Sequence, residues 1–111
     1  MAQARYQLIT ATGTYIHVPD WQQCPFDLSY AIEVPPGVTA GFTVAYTLSN
    51  PDDLTWTAIW LPDPTNGTTK TASVHGGYAA GFLIRALALT VASITGTTGI
   101  RWSILQGSSA R

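Results

Sequence analysis

Leu28-Ser29-Tyr30-Ala31-Ile32-Glu33-Val34 and Phe42-Thr43-Val44-Ala45-Tyr46-Thr47-Leu48 decide the fold class of this chain. In the first stretch Leu28, Tyr30, Ile32 and Val34 alternate with Ser29, Ala31 and Glu33. In the second, Phe42, Val44, Tyr46 and Leu48 alternate with Thr43, Ala45 and Thr47. Successive side chains on a strand point to opposite faces, so each apolar set shares one face. Both stretches therefore read as strands with one face in a core. Glu33 falls on the polar face, where a carboxylate is solvated or paired.

Turn chemistry punctuates the chain on either side. Pro35-Pro36-Gly37 separates the two strands, and Asn50-Pro51-Asp52-Asp53 ends the second. Pro62-Asp63-Pro64-Thr65-Asn66-Gly67 ends a third expected strand, residues 56–60. Proline cannot donate to a ladder, and Asn-Gly favours positive φ. Residues 6–10 and 15–18 read as a hairpin around Ala11-Thr12-Gly13. Residues 69–74 read as a polar strand followed by His75-Gly76-Gly77. Residues 82–92 and 100–105 form the last pair, joined by a Thr/Gly-rich connection over 93–99. Ala80, Leu83, Ile84, Leu87 and Val91 fit helical spacing as well as strand spacing, and Ala86 and Ala88 favour helix. The segment lacks an N-cap next to Gly81, ends in Thr90-Val91 and lies among β-type segments, so it is read as strand. About eight short strands predict an all-β, single-domain β-sandwich of jelly-roll type spanning residues 1–111. Residues 1–5 are expected to form an N-terminal arm, and 107–111 a C-terminal tail.

Composition narrows the function. The chain has 111 residues, one domain's worth. The apolar fraction is 46% but the charged fraction only 10%, against a usual ~25%. Sixteen threonines cover much of the surface instead. Such a surface is poor at charge-based solubility and suits a protein docked in many copies. Net charge is −1 with five Lys and Arg. No basic stripe exists to neutralise phosphates, which argues against a nucleic-acid partner. The start, Met1-Ala2-Gln3-Ala4-Arg5-Tyr6, is not followed by an apolar h-region, so no export signal is expected. The longest apolar or glycine run, residues 78–84, falls far short of the ~20 residues of a membrane helix.

Chemistry-bearing side chains are sparse. The acids are Asp20, Asp27, Glu33, Asp52, Asp53 and Asp63, and the histidines are His17 and His75. Asp52-Asp53 follows Asn50-Pro51 and reads as a turn. No HExxH or CxxC spacing offers three or four metal ligands. Cys24 is the single cysteine. It reads as a small buried hydrophobe, with no helix N-terminus in view to lower its pKa. Asn66-Gly67-Thr68 matches an N-glycosylation acceptor but reads as a turn. The expectation is a protein that is not an enzyme and needs neither metal nor cofactor.

The aromatic residues carry more information. Trp102 lies between Ile100 and Ile104 on one face and reads as core. Trp56 and Trp60 share a face with Ala58 while Ile59 points the other way. That strand is either buried on both faces, the packing preferred here, or a half-exposed aromatic platform. Trp21, in the loop from Pro19 to Pro25, is the better surface anchor. Met1, Ala2, Gln3, Ala4 and Arg5, as an arm, join Trp21, Trp56 and Trp60 as candidate protein-interface residues.

Ala80-Gly81-Phe82-Leu83-Ile84-Arg85-Ala86-Leu87-Ala88-Leu89-Thr90-Val91, the turn from Gly96 to Gly99 and Trp102-Ser103-Ile104-Leu105-Gln106-Gly107 together carry a resemblance. An apolar strand containing an arginine, a Thr/Gly turn and a closing strand ending in Leu-Gln-Gly resemble the ending of many small phage virion proteins. The chain's length and Thr-rich middle are similar to the small capsid decoration (cement or staple) proteins of short-tailed bacteriophages of the epsilon-fifteen type. The pattern covers residues 80–107, and the rest in character only. The resemblance implies a β-sandwich on the outside of the virion shell, stapling neighbouring copies of the major capsid protein, with no catalytic residue to carry over. Attachment is then expected through apolar contact and strand pairing, as a homodimer at a capsid twofold. A tail, baseplate or fibre-base subunit and a carbohydrate-binding module are the alternative readings.

Overall fold

The computed structural model describes residues 3–20, 22, 26–79 and 82–107. Eight strands follow one another: β1 (Gln3–Ile9), β2 (Gly13–His17), β3 (Leu28–Glu33), β4 (Thr39–Thr47), β5 (Leu61–Pro62), β6 (Val74–Tyr78), β7 (Ala86–Thr95) and β8 (Ile100–Gln106). They form two antiparallel sheets of four, in the orders β1-β8-β3-β6 and β2-β7-β4-β5. The pairings nest. Gln3 stands opposite Gln106, Gly13 opposite Val91, Leu28 opposite Tyr78 and Ala45 opposite Pro62. The chain is thus one long hairpin rolled up, and the roll closes where β8 pairs with β3 and β7 with β4. This is the jelly-roll sandwich that the alternation predicts.

Burial follows the period-two pattern. Leu28, Tyr30 and Ile32 of β3 meet Ile100, Trp102 and Ile104 of β8 on one side of the core. Phe42 and Val44 of β4 meet Val91 and Leu89 of β7 on the other. Each such large side chain, once fully buried, contributes about 1.5–3 kcal/mol. The register of β4 on β7 shifts between Gly41 and Phe42, so that Ala40 faces Ile94 while Phe42 faces Val91. This bulge turns Val91 and Ile94, three residues apart, toward the same core.

Several local expectations are corrected. The strands at either side of Ala11-Thr12-Gly13 are not a hairpin, because β1 pairs with β8 and β2 with β7 in opposite sheets. Residues 57–60 are irregular, and the strand there is the two-residue β5. The polar strand expected over 69–74 reduces to one bridge, Lys70 with Phe42. His75-Gly76-Gly77, placed after that strand, is the middle of β6. The ambiguous apolar run is strand from Ala86 and continues to Thr95. As an interior strand of its sheet it buries Leu87 and Leu89 inward and Ala86 and Ala88 outward, which removes the alternation from the sequence.

The two open sides of the sandwich are closed differently. On the β5/β6 side the segment after β5 hydrogen-bonds along β4, from Val44 to Asp63 and Asn66 and from Phe42 to Lys70. Asn66 then reaches across to the other sheet. Its amide donates to the Tyr30 hydroxyl at 2.8 Å and to the His75 carbonyl at 3.1 Å. On the β1/β2 side Arg5 donates to His17 Nδ1 at 3.2 Å. There Gln106 also exchanges two hydrogen bonds with the Asp20 backbone.

Candidate functional site: an exposed apolar crest

Among the described residues, exposed apolar side chains concentrate on the connection that leads from β4 into β5. Five of the eleven large hydrophobic residues exposed among the described residues fall within residues 48–61: Leu48, Leu54, Trp56, Ile59 and Leu61. Leu54 is 100% exposed and Trp56 61% exposed. A folded chain that leaves such groups in water has not hidden them by collapse, although the loop is long enough to fold inward.

The reason is local hydrogen bonding that fixes the loop outward. Buried Thr47 holds its base, donating from Oγ1 to the Ile59 carbonyl at 2.8 Å and accepting from the Ser49 N–H at 3.0 Å. The Asn50 side chain accepts the Asp52 N–H at 3.0 Å, and the Asp53 N–H donates to the Asn50 carbonyl at 3.2 Å. Asp53 Oδ1 then accepts both the N–H and the hydroxyl of Thr55, at 2.8 and 2.7 Å. Those bonds hold its carboxyl below the usual carboxylate range. Two consecutive Asx turns therefore present Leu54 and Trp56 at the tip, with two carboxylates beside them.

The sequence-derived candidates separate in space. Trp56 is on the crest, and Trp60 is partly buried near its base. The doubly buried strand preferred for that pair does not form. Gln3, Ala4 and Arg5 stand in β1, opposite Gln106, Leu105 and Ile104, rather than in an arm. Met1, Ala2 and Trp21 lie outside the described residues, as do Cys24 and residues 108–111. Gly107 is tied back, its N–H donating to the Asp27 carbonyl at 3.0 Å. Trp102 is core, as its neighbours predict. Glu33 pairs with Arg101 at 2.9 Å on the outer face of its sheet.

Leu48 and Leu54 were missed by the sequence reading. Leu48 continues the alternation of β4 and so looked like core, and Leu54 stands alone between turn residues. Elsewhere, His17 sits in a shallow cleft with Ala4, Arg5, Ile104 and Gln106. Burial, and then the Arg5 charge, push its pKa down to about 4, so it is neutral and accepts from Arg5. Among the described residues no three His, Cys, Asp or Glu side chains gather where they could hold a metal ion.

Comparison with protein-family models, with curated proteins and with solved structures finds no match to this chain.

Proposed function

We propose that this protein is a structural virion component that docks on the outside of a bacteriophage capsid and staples neighbouring major capsid subunits. The crest of residues 48–61 is the observation that carries the docking: a loop whose turn hydrogen bonds hold Leu54 and Trp56 in water. Tryptophan at the centre of an apolar patch is the commonest kind of interface anchor. The low charge, 10% of residues, leaves apolar contact as the main source of affinity. The capsid context comes from the likeness of residues 80–107 to small phage virion proteins, whose implied sandwich agrees with the jelly roll. The working form is a homodimer at a capsid twofold, on the shell surface, after synthesis in the host cytoplasm.

Four of the five exposed hydrophobic residues of the crest are aliphatic and one is a tryptophan. A mostly aliphatic surface favours a protein partner over a sugar, which stacks on aromatic rings. The test is a shell assembled without this protein. Such shells should form yet burst at lower temperature, and the purified chain added back should restore resistance, because a ligand stabilises the state it binds. Equal heat resistance with and without the chain overturns the stapling role. A copy number of only a few per virion moves the protein to the tail.

A further inference from the structure

We propose that two copies of the chain pair edge to edge through β1, antiparallel, with Tyr6 on the twofold axis. This gives the dimer of the proposed function its contact, and it concerns the chain itself rather than the shell.

Four strands border the two sheets, and β1 is the longest of them. β5 has two residues, one of them Pro62. β6 carries Gly76 and Gly77, and the Asn66 side chain occupies its His75 carbonyl. β2 has five residues and opens on Gly13. β1 runs for seven residues, Gln-Ala-Arg-Tyr-Gln-Leu-Ile, in unbroken register with β8. It contains no proline, glycine, lysine or bulge, and the one device against edge pairing that it carries is Arg5, an inward-facing charge that bonds His17 of the other sheet. In an antiparallel ladder alternate residues turn both backbone groups toward one neighbour. The others of β1 therefore direct theirs away from the sheet.

The strand is complementary to itself. An axis at Tyr6 sets Tyr6 against its copy, Arg5 against Gln7 of the second chain, and Ala4 against Leu8. Arg5 is the single charge in β1, and this register keeps it away from its copy; an axis at Arg5 would oppose two guanidinium groups. The apolar surface also reaches this edge. Tyr6 and Leu8 are 63% and 64% exposed on the outer face, where the register of β8 puts Leu105 beside them. Pairing covers those side chains together with the backbone, and the Tyr6 ring already lies under the Arg101 guanidinium at 5.3 Å.

The test uses the purified chain without capsid. Light scattering should give twice the chain mass at micromolar concentration, and Tyr6→Lys, which opposes two ammonium groups on the axis, should give a monomer with unchanged circular dichroism. Register is read by cysteine cross-linking in a Cys24→Ser background. Tyr6→Cys should oxidise to a covalent dimer, since facing Cα atoms of paired strands lie within disulfide range. Ala4→Cys should not cross-link alone but should do so when mixed with Leu8→Cys. A monomeric wild-type chain, a dimer that survives Tyr6→Lys, or efficient cross-linking of Ala4→Cys to itself overturns the proposal. So does a chain that pairs β1 only with a strand of another protein. Loss of shell attachment in a chain that still dimerises counts against stapling alone, and attachment by a monomer counts against the pair alone.

Discussion

The Tyr78 hydroxyl donates a hydrogen bond to the Asp63 carboxylate and so joins the two sheets of the sandwich. Tyr78 belongs to β6, and Asp63 follows β5 in the opposite sheet. The carboxylate is buried, and its other oxygen accepts the N–H groups of Thr65 and Asn66 at 2.9 and 2.8 Å. Burial, with Asp63 close by, pushes the Tyr78 hydroxyl far above the usual tyrosine range and keeps it a donor. Tyr78→Phe should therefore destabilise the fold by about 1–3 kcal/mol, the cost of leaving a buried acceptor unsatisfied. Urea unfolding should show the midpoint drop with the slope unchanged. An unaltered midpoint would mean the bond contributes nothing.

Gly67 ends the same turn. A Cβ there would lie 2.5 Å from Pro62 Cβ and 2.6 Å from the Asp63 carbonyl oxygen, too close for either to stay in place. Gly67→Ala should cost about 1–3 kcal/mol, the usual range for forced overpacking. It should also weaken the bonds of Asn66 to Tyr30 and His75, which amide hydrogen exchange in β6 would report as faster exchange.

His17 makes stability depend on pH. Its folded pKa, about 4, lies below the ordinary 6.5. Between those values the unfolded chain binds a proton that the folded chain does not, so stability falls as pH drops from 6.5 to 4. The contribution is fully present above 6.5. Because the ring is partly in water, about 1 kcal/mol is the expected size after screening. Denaturant midpoints of wild type and His17→Asn, compared at pH 7 and pH 4.5, check this. The carboxylates titrate in both proteins, so the difference between them isolates His17, and equal losses would refute the assignment.

Crest residues should separate binding from folding. Leu54→Ala and Trp56→Ala remove side chains already in water, so each should shift stability by no more than about 0.5 kcal/mol. In shell attachment Trp56→Ala should cost about 2 kcal/mol or more, as an interface hot spot does. Sedimentation of labelled protein with shells measures it. Attachment should also survive 0.5 M salt, since apolar contact is not screened. Undiminished binding by both variants would take the crest out of the interface.

The sandwich was legible wherever one face of a strand is buried and the other wet, as in Leu28, Tyr30 and Ile32 or in Ile100, Trp102 and Ile104. It blurred where that condition fails. In β7 both Leu87 and Ala88 are buried, so a central strand imitates a helix. In β6 Gly76-Gly77 carries no strand signal, yet Gly76 is there because the Tyr30 ring lies across it: a Cβ would come within 2.6 Å of the Tyr30 hydroxyl. That is a contact between strands distant in sequence, and no local pattern carries it. The crest was half visible. Trp56 stood out by type, but its exposure depends on how Thr47, Asn50 and Asp53 bond the loop, and alternation alone suggested a strand. The Asp63 and Asn66 network was read only as turn chemistry, because nothing in Pro-Asp-Pro-Thr-Asn-Gly marks a carboxylate that crosses to another sheet.

The nested order of the strands sets the tempo of folding. β8 is the latest strand along the chain, yet it lies between β1 and β3, and neither touches the other without it. On the ribosome the sheet holding β1 and β3 cannot close until residues past 100 have emerged. Ladders between such remote segments form late and slowly, on the millisecond-to-second scale typical of non-local β topologies. The waiting β1 has a bare edge throughout that interval, so a nascent chain is most vulnerable to clumping until β8 has emerged, and cool, slow expression should raise the yield of native protein.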